Sequence, residues 1–314
     1  MFRSLTACAL ALGLVVSMSA RAEWTPPGPI KMMIAFSAGG GADTQGRMIA
    51  EELEARHGWK IIPEQVTGKG GSVLAKAMVD QPNDGTVIGL LVTESVGYNM
   101  VVAENPGYAV DDFTYLTTTA GFQMGVVAKS EKGWTTFADV VAAAKGGQAI
   151  RFGVMSPKLA DLAYLLGEAH GVEFNIISVR GGKAVMNGLN AGDMDIGWGA
   201  GIQNKAVAAG DMVNLASGLS APLNISPDAP TLAQLGVDFN ADGYFLFIGP
   251  AGMPADAAGA ISAAIAGIAQ DADSKAGGFI AKAFGGAVVL QGEPLMQFMA
   301  DGVADSEALL AATE

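Results

Sequence analysis

The stretch Ile30-Lys31-Met32-Met33-Ile34-Ala35-Phe36-Ser37-Ala38-Gly39-Gly40-Gly41-Ala42-Asp43 decides the fold. An apolar run stops at Phe36, three glycines follow, and apolar residues at helical spacing begin at once. That succession predicts a buried strand, a tight turn and a helix start. Glycine lets the backbone approach a ligand, and the first turn of a helix points unpaired N–H groups outward, a setting that favours an anion. Residues 150–202 repeat the plan more weakly, which suggests two halves facing one site.

Working outward, the spacing predicts a helix over Ala42–His57 stopped by Gly58, a strand at Trp59–Ile62 and the loop Thr67-Gly68-Lys69-Gly70-Gly71-Ser72. A helix over Ser72–Gln81 then meets the turn Pro82-Asn83-Asp84-Gly85, and Thr86–Val92 is a third apolar strand. Alternation of strand and helix demands parallel strands with right-handed crossovers. In the second unit the strand Ile150–Met155 ends at Ser156-Pro157, and a helix over Leu159–His170 stops at Gly171. A strand at Phe174–Val179, the turn Arg180-Gly181-Gly182-Lys183 and a strand at Asp195–Trp198 complete it. His57-Gly58 answers to His170-Gly171, and Gly70-Gly71 to Gly181-Gly182.

Phe113–Lys129 is extended and β-branched, Thr136–Lys145 is helical, and Val213–Ser217 and Tyr244–Ile248 read as strands. Helices follow Gly249-Pro250-Ala251-Gly252-Met253-Pro254 and cover Lys275–Phe284 and Glu293–Leu310. Strands on both sides of the middle unit imply that the chain crosses to a second lobe and returns. The expected class is α/β with two lobes, each a mostly parallel sheet flanked by helices, joined by a two-strand hinge. The expected division is 23–122 with 243–314 in lobe 1 and 123–242 in lobe 2.

Half of the 314 residues are apolar, enough for a large core, and 18 basic side chains face 31 acidic ones. Arg3, the apolar run Leu5–Met18 and Ala20-Arg21-Ala22 read as a secretory signal peptide over 1–22, cleaved near Ala22. Leu5-Thr6-Ala7-Cys8 resembles a lipoprotein box but stands too near the start, with no apolar region ahead of it. Cleavage removes Cys8, the only cysteine, and with it any disulfide, thiol nucleophile or cysteine metal ligand. The acidity argues against nucleic acid and anionic membrane surfaces. No later apolar run is long enough for membrane insertion, so the mature protein is expected to be soluble; a monomer is expected as well.

Catalytic sets are lacking in the sequence. His57 and His170 each end a helix before a glycine, where positive charge suits the helix dipole. There is no H-E-x-x-H and no G-x-S-x-G. Thr44 stands where the third glycine of G-x-G-x-x-G would fall, and no G-K-[ST] follows the first turn. The reading therefore has no metal, no cofactor and no reaction. Four βα turns are left to converge on a cleft: Gly39–Gly41, Gly70-Gly71, Val154-Met155-Ser156-Pro157 and Arg180-Gly181-Gly182. Arg180 is the candidate for pairing with a carboxylate, since guanidinium matches it two bonds at a time. Trp198 is either a cleft wall or core. Asp43 either stabilises its own helix start or reaches a ligand.

In this order and spacing the motifs resemble the receptors of tripartite tricarboxylate transporters, the Bug-type periplasmic solute-binding proteins. The residues that carry the likeness are Pro29-Ile30-Lys31, Phe36–Asp43, Gly68–Ser72, Pro82–Gly85, Asp112-Phe113-Thr114, Arg180–Gly182, Asp228-Ala229-Pro230-Thr231 and Gly249–Pro254. The resemblance implies a type II periplasmic-binding-protein-like fold closing on a small carboxylate. It also implies delivery to a large and a small membrane subunit. It places Ser37, Ala38, Gly39, Gly40, Gly70 and Gly71 on one side of the ligand, and Val154, Met155, Ser156, Arg180 and Gly181 on the other. Asp43 and Trp198 complete the candidate set. The sequence departs from the family pattern in having Ala38 where proline usually precedes the glycine pair. Asp161-Leu162-Ala163 replaces a usual His-Leu-Ala, and with apolar Met155 this implies a more apolar or bulkier acid. A signalling adaptor that senses the ligand, and a secreted enzyme of the same build, are the rival readings.

Overall fold

The computed structural model describes residues 24–313, so the signal peptide expected over 1–22 lies outside the described residues. In chain order the elements are β1 (Ile30–Ile34), α1 (Gly41–His57), β2 (Ile61–Gln65), α2 (Ser72–Val79), β3 (Val87–Val92) and α3 (Tyr98–Val101). Then come β4 (Phe113–Gly121), β5 (Met124–Lys129), α4 (Phe137–Lys145), β6 (Ile150–Val154), α5 (Pro157–His170) and β7 (Phe174–Ser178). The chain closes with α6 (Gly182–Ala191), β8 (Ile196–Ala200), α7 (Asn204–Ala208), β9 (Met212–Ser217), β10 (Tyr244–Pro250), α8 (Ala255–Gln270), α9 (Lys275–Phe284) and α10 (Gly292–Thr313).

The strands make two five-stranded sheets, ordered β2-β1-β3-β10-β4 and β7-β6-β8-β5-β9. In the first, β1 runs parallel to β2 and β3, while β10 runs against both β3 and β4. In the second, β6 runs parallel to β7 and β8, while β5 runs against both β8 and β9. Each sheet is thus mixed, with one reversed strand in the same place. The expectation of two mostly parallel sheets flanked by helices holds with that addition.

Strand alternation builds a core on each face. Met32 and Ile34 pack with Ile49, Leu53 and Ile265, while Met33 and Ala35 pack on the opposite face with Leu74, Met78 and Leu295. The second sheet does the same: Phe152 and Trp198 join Phe137 and Leu162, whereas Val127 joins Val185 and Leu189. At Gly197 a Cβ would stand 2.5 Å from Val185 Cγ1, so glycine there lets α6 lie close on β8. The largest cluster runs through both lobes by way of Phe122, Met124 and Phe245.

Helix ends follow their local chemistry. Ser156 caps α5 by accepting the Leu159 N–H, with Pro157 in the first turn. Gly58 and Gly171 end α1 and α5 in the left-handed conformation, behind His57 and His170 as the sequence predicts. Among the described residues no helix is long and apolar enough to cross a membrane.

Candidate functional site

Between the sheets lies a partly open cavity of about 70 Å³, room for several waters. A wider cleft of about 700 Å³ adjoins it and shares Phe36, Ser37, Gly70, Met155, Ser156, Arg180 and Gly181. The first lobe supplies the inner wall with the turn between β1 and α1, through Phe36, Ser37, Gly40, Gly41 and Ala42. The second lobe answers with Arg180, Gly181, Gly182 and Lys183 at the start of α6, and with Met155, Ser156 and Leu159 at the start of α5. Phe122, Met124 and Phe245 line it where the chain passes between lobes.

Three helices therefore begin at one cavity, α1 from one lobe and α5 and α6 from the other. The first N–H groups of α1 and α6 have no partner within their own helices, and both dipoles present a positive end. An anion between them meets donors from both lobes. The turns also touch directly: Ser37 Oγ donates to the Arg180 carbonyl at 3.1 Å, and Lys183 Nζ donates to the Ala38 carbonyl at 3.0 Å. Arg180 itself is exposed, and among the described residues no carboxylate pairs with it.

The second glycine corner is built from behind. Gly70 and Gly71 hold φ of +61° and +101°, in the region that favours glycine. Ser95 Oγ and Asn99 Nδ2 both donate to the Gly70 carbonyl, at 2.8 and 3.0 Å, and Tyr108 donates to the Ser95 carbonyl at 2.6 Å. A Cβ on Gly70 would lie 3.3 Å from Ser156 Cβ of the other lobe, so the two lobes approach closely here.

Of the sequence-predicted residues, Ser37, Gly40, Gly70, Met155, Ser156, Arg180 and Gly181 come together on the cavity. Others do not reach it. Ala38 and Gly39 are exposed and meet Lys183 of the other lobe instead of lining the cavity. Gly71 is buried against Ser95, and Val154 is buried at the end of β6.

Asp43 is 3 % exposed and fully engaged in its own turn. It accepts the Gly39 N–H at 2.8 Å, Arg47 Nε at 2.8 Å and Gln65 Nε2 at 3.2 Å. Trp198 must be corrected from cleft wall to core. It is 0 % exposed, stacks near Phe152, and donates Nε1 to the Leu159 carbonyl at 2.9 Å. Alternation along β8 turns it toward α5, so it supports Leu159 from behind.

Glu94, just past the end of β3, lines the cavity and was missed by the sequence reading. Burial pushes its carboxyl above the usual range, opposed by the charge of Lys158 and by Ser156. Its signal was position: a charged residue directly after a strand of the first parallel unit, where ligands of such sheets gather. Ile202 after β8 is the apolar counterpart in the other lobe. Asp195 belongs to the scaffold. Burial works against its charge, yet bidentate Arg151, Lys132 and the Arg151 N–H hold its carboxyl well below the usual range. Among the described residues no three His, Cys, Asp or Glu side chains gather as metal ligands.

The chain is similar to known proteins over most of its length. A model of the family described as tripartite tricarboxylate transporter family receptor matches residues 46–314. A UPF0065 protein of Agrobacterium vitis, from the TAR-I ttuE–ttuC′ intergenic region, is 26% identical over 238 residues, covering 73% of this chain and 68% of its own. The fold matches Rhodopseudomonas palustris Rpa4515 with adipate, at TM-score 0.80 and 20% identity, covering 92% of this chain and 98% of that one. It also matches MatC of the same organism with bound malate, at TM-score 0.79 and 19% identity, covering 91% and 99%.

Proposed function

The chain belongs to the tripartite tricarboxylate transporter receptor family, and from that premise we propose that it captures a small carboxylate between its lobes and delivers it to the large and small membrane subunits of such a transporter. A solute-binding role follows from the family. The carboxylate, the membrane partners and a periplasmic location after removal of residues 1–22 are our reading. One observation carries it: turns from both lobes, each opening a helix, line one cavity between the sheets. Relatives of this fold with malate and adipate bound support the ligand class.

The bound acid places its carboxylate between the starts of α1 and α6, with Arg180 at the mouth and its carbon body against Phe122, Met124, Leu159 and Phe245. Charge-assisted hydrogen bonds contribute about 1.5–3 kcal/mol each, and micromolar binding needs about −8 kcal/mol. Three or four such contacts with some apolar burial therefore suffice. Because the donors come from both lobes, the ligand favours the shut arrangement by its difference in affinity for the two states.

A thermal-shift panel of mono-, di- and tricarboxylates tests the reading, and at least one acid raises the melting temperature. Silence across the panel would remove carboxylate capture. Arg180→Ala lowers affinity for the responding acid about tenfold, as expected for one partly solvated charge-assisted contact. Its melting temperature without ligand stays at the parent value, because the side chain is exposed and makes no ion pair.

A further inference from the structure

Glu94 is the one acidic residue lining the inner cavity of the described chain. Its Oε1 is buried and has no hydrogen-bond partner. Such an oxygen costs free energy until a donor reaches it. The protein brings little to the carboxyl: Ser156, facing it from α5, accepts the Leu159 N–H and has one hydroxyl proton to offer, which leaves Oε1 unpaired, and Lys158 of the same helix acts by charge alone, without an ion pair. Tyr98, on the next turn of its own segment, commits its hydroxyl to Asp161 across the lobes. The other charged neighbours of the cavity, Arg180 and Lys183, belong to the opposite wall, and Lys183 is taken by the Ala38 carbonyl. The cavity that Glu94 lines is otherwise mostly apolar, with Val92, Phe122 and Phe245 among its walls.

We propose that Glu94 is a specificity residue that requires a hydrogen-bond donor on the part of the ligand facing it. This rests on the carboxylate-receptor reading above and narrows it. The ligand is then an acid anchored by its carboxylate at the helix starts and carrying a hydroxyl, an ammonium or an undissociated second carboxyl toward Glu94. Bare fatty acids leave Oε1 unpaired and bind poorly. A fully ionised dicarboxylate sets two anions face to face in a low-dielectric wall, so it binds with one proton shared between its far carboxyl and Glu94.

The test is isothermal titration of the whole mature chain with chain-matched acids of about four to six carbons, each in bare, hydroxy, amino and dicarboxylic form. For the parent protein, at least one donor-bearing acid binds about tenfold or more tightly than its bare counterpart near neutral pH. Glu94→Met erases that preference, and Glu94→Gln erases the preference for amino over hydroxy acids. Dicarboxylate affinity of the parent falls about tenfold between about pH 6 and pH 8 and stays level in Glu94→Gln. Hydroxy and amino acids, run as separate arms, tell a neutral donor from a cationic one.

Bare and donor-bearing acids binding the parent equally, or a preference that survives Glu94→Met, overturns the proposal while leaving carboxylate capture intact. An absence of binding by every acid removes the receptor reading itself. Circular dichroism of both variants, with bare-acid binding retained, shows that a lost preference is not lost folding.

Discussion

Replacing Gly71 by alanine tests how the second glycine corner is held. The residue sits at φ +101°, where a side chain strains the backbone at a cost of about 1–2 kcal/mol. Its new Cβ would stand 2.1 Å from Ser95 Oγ and 3.0 Å from Ser95 Cβ, inside any tolerable contact. Relief requires the buried hydroxyl to swing away. That breaks its 2.8 Å bond to the Gly70 carbonyl, worth about 1 kcal/mol, although Asn99 Nδ2 still serves that oxygen. Pressure on the Ser95 backbone adds about 1 kcal/mol, as overpacking does. The total is about 3–4 kcal/mol, or roughly 6 °C in melting temperature for a chain of this size. Urea unfolding of the parent, Gly71→Ala, Ser95→Gly and the double variant forms a cycle. In the Ser95→Gly background both clashing atoms are gone, so adding the methyl costs only the backbone strain, about 1–2 kcal/mol. A Gly71→Ala protein within about 1 kcal/mol of the parent, or a cost unchanged by Ser95→Gly, would refute this account.

Asp195→Asn removes the carboxylate shared by Arg151 and Lys132, and costs about 2 kcal/mol near neutral pH after allowing for the half-exposed cations. Because the folded pKa is depressed, this stabilisation is present above the ordinary carboxylate range of about pH 4 and fades as pH falls toward the folded value. Urea midpoints of the two proteins should converge on acidification, and a constant gap down to the acid limit would contradict the ion-pair origin. Trp198→Phe loses the buried bond to the Leu159 carbonyl and destabilises by about 1–2 kcal/mol. The rank order of ligands in thermal shift stays the same, and a reordered panel would return Trp198 to the cavity wall. Lys183→Met deletes one of the two bonds between the opposed turns and weakens ligand binding about fivefold at an unchanged apo melting temperature. Titration calorimetry showing full affinity in Lys183→Met would mean that this bond does not help hold the lobes shut.

Much of this architecture is legible in the chain, and the failures have physical causes. Ile30–Phe36 followed by glycines announces β1 and α1 because alternation and glycine chemistry are local. The second strand was expected at Trp59–Ile62 but lies at Ile61–Gln65. Trp59 is buried for another reason: it packs edge-on against Trp24 and near His57 ahead of the strand. Polar Glu64 and Gln65 are tolerated because β2 is an edge strand with half its surface open. Within the site, a glycine-rich turn shows that backbone is exposed to something, but not which peptide faces inward. Ala38 and Gly39 meet Lys183 beside the cavity for that reason, while Gly41 and Ala42, in the first turn of α1, line it. Glu94 was legible only by its place just past β3, because the burial that outweighs the opposing effects of Lys158 and Ser156 comes from segments remote in sequence.

The reversed strand in each sheet explains why the hinge adjoins the site. In the first sheet β4 runs in the direction of β1 and β3, since each of β3 and β4 opposes β10, and so it ends at the edge where α1 begins. The chain leaves there, at Gly121, and β5 must start at the cleft edge of the second sheet and run away from it, against β8. Strand β9 opposes β5 and returns to the cleft edge, and after residues 218–243 β10 starts at the cleft of the first sheet and again runs outward. Both crossings are thereby confined to the carboxyl ends of the parallel strands, the edge at which such sheets bind ligands. The consequence is visible in the wall itself: Phe122, Met124 and Phe245 stand at the crossings and line the cavity. On the proposed carboxylate-receptor reading, a ligand that fills the cavity packs on the segments that join the lobes, so occupancy would bear on closure by direct contact and need no relay through the lobes.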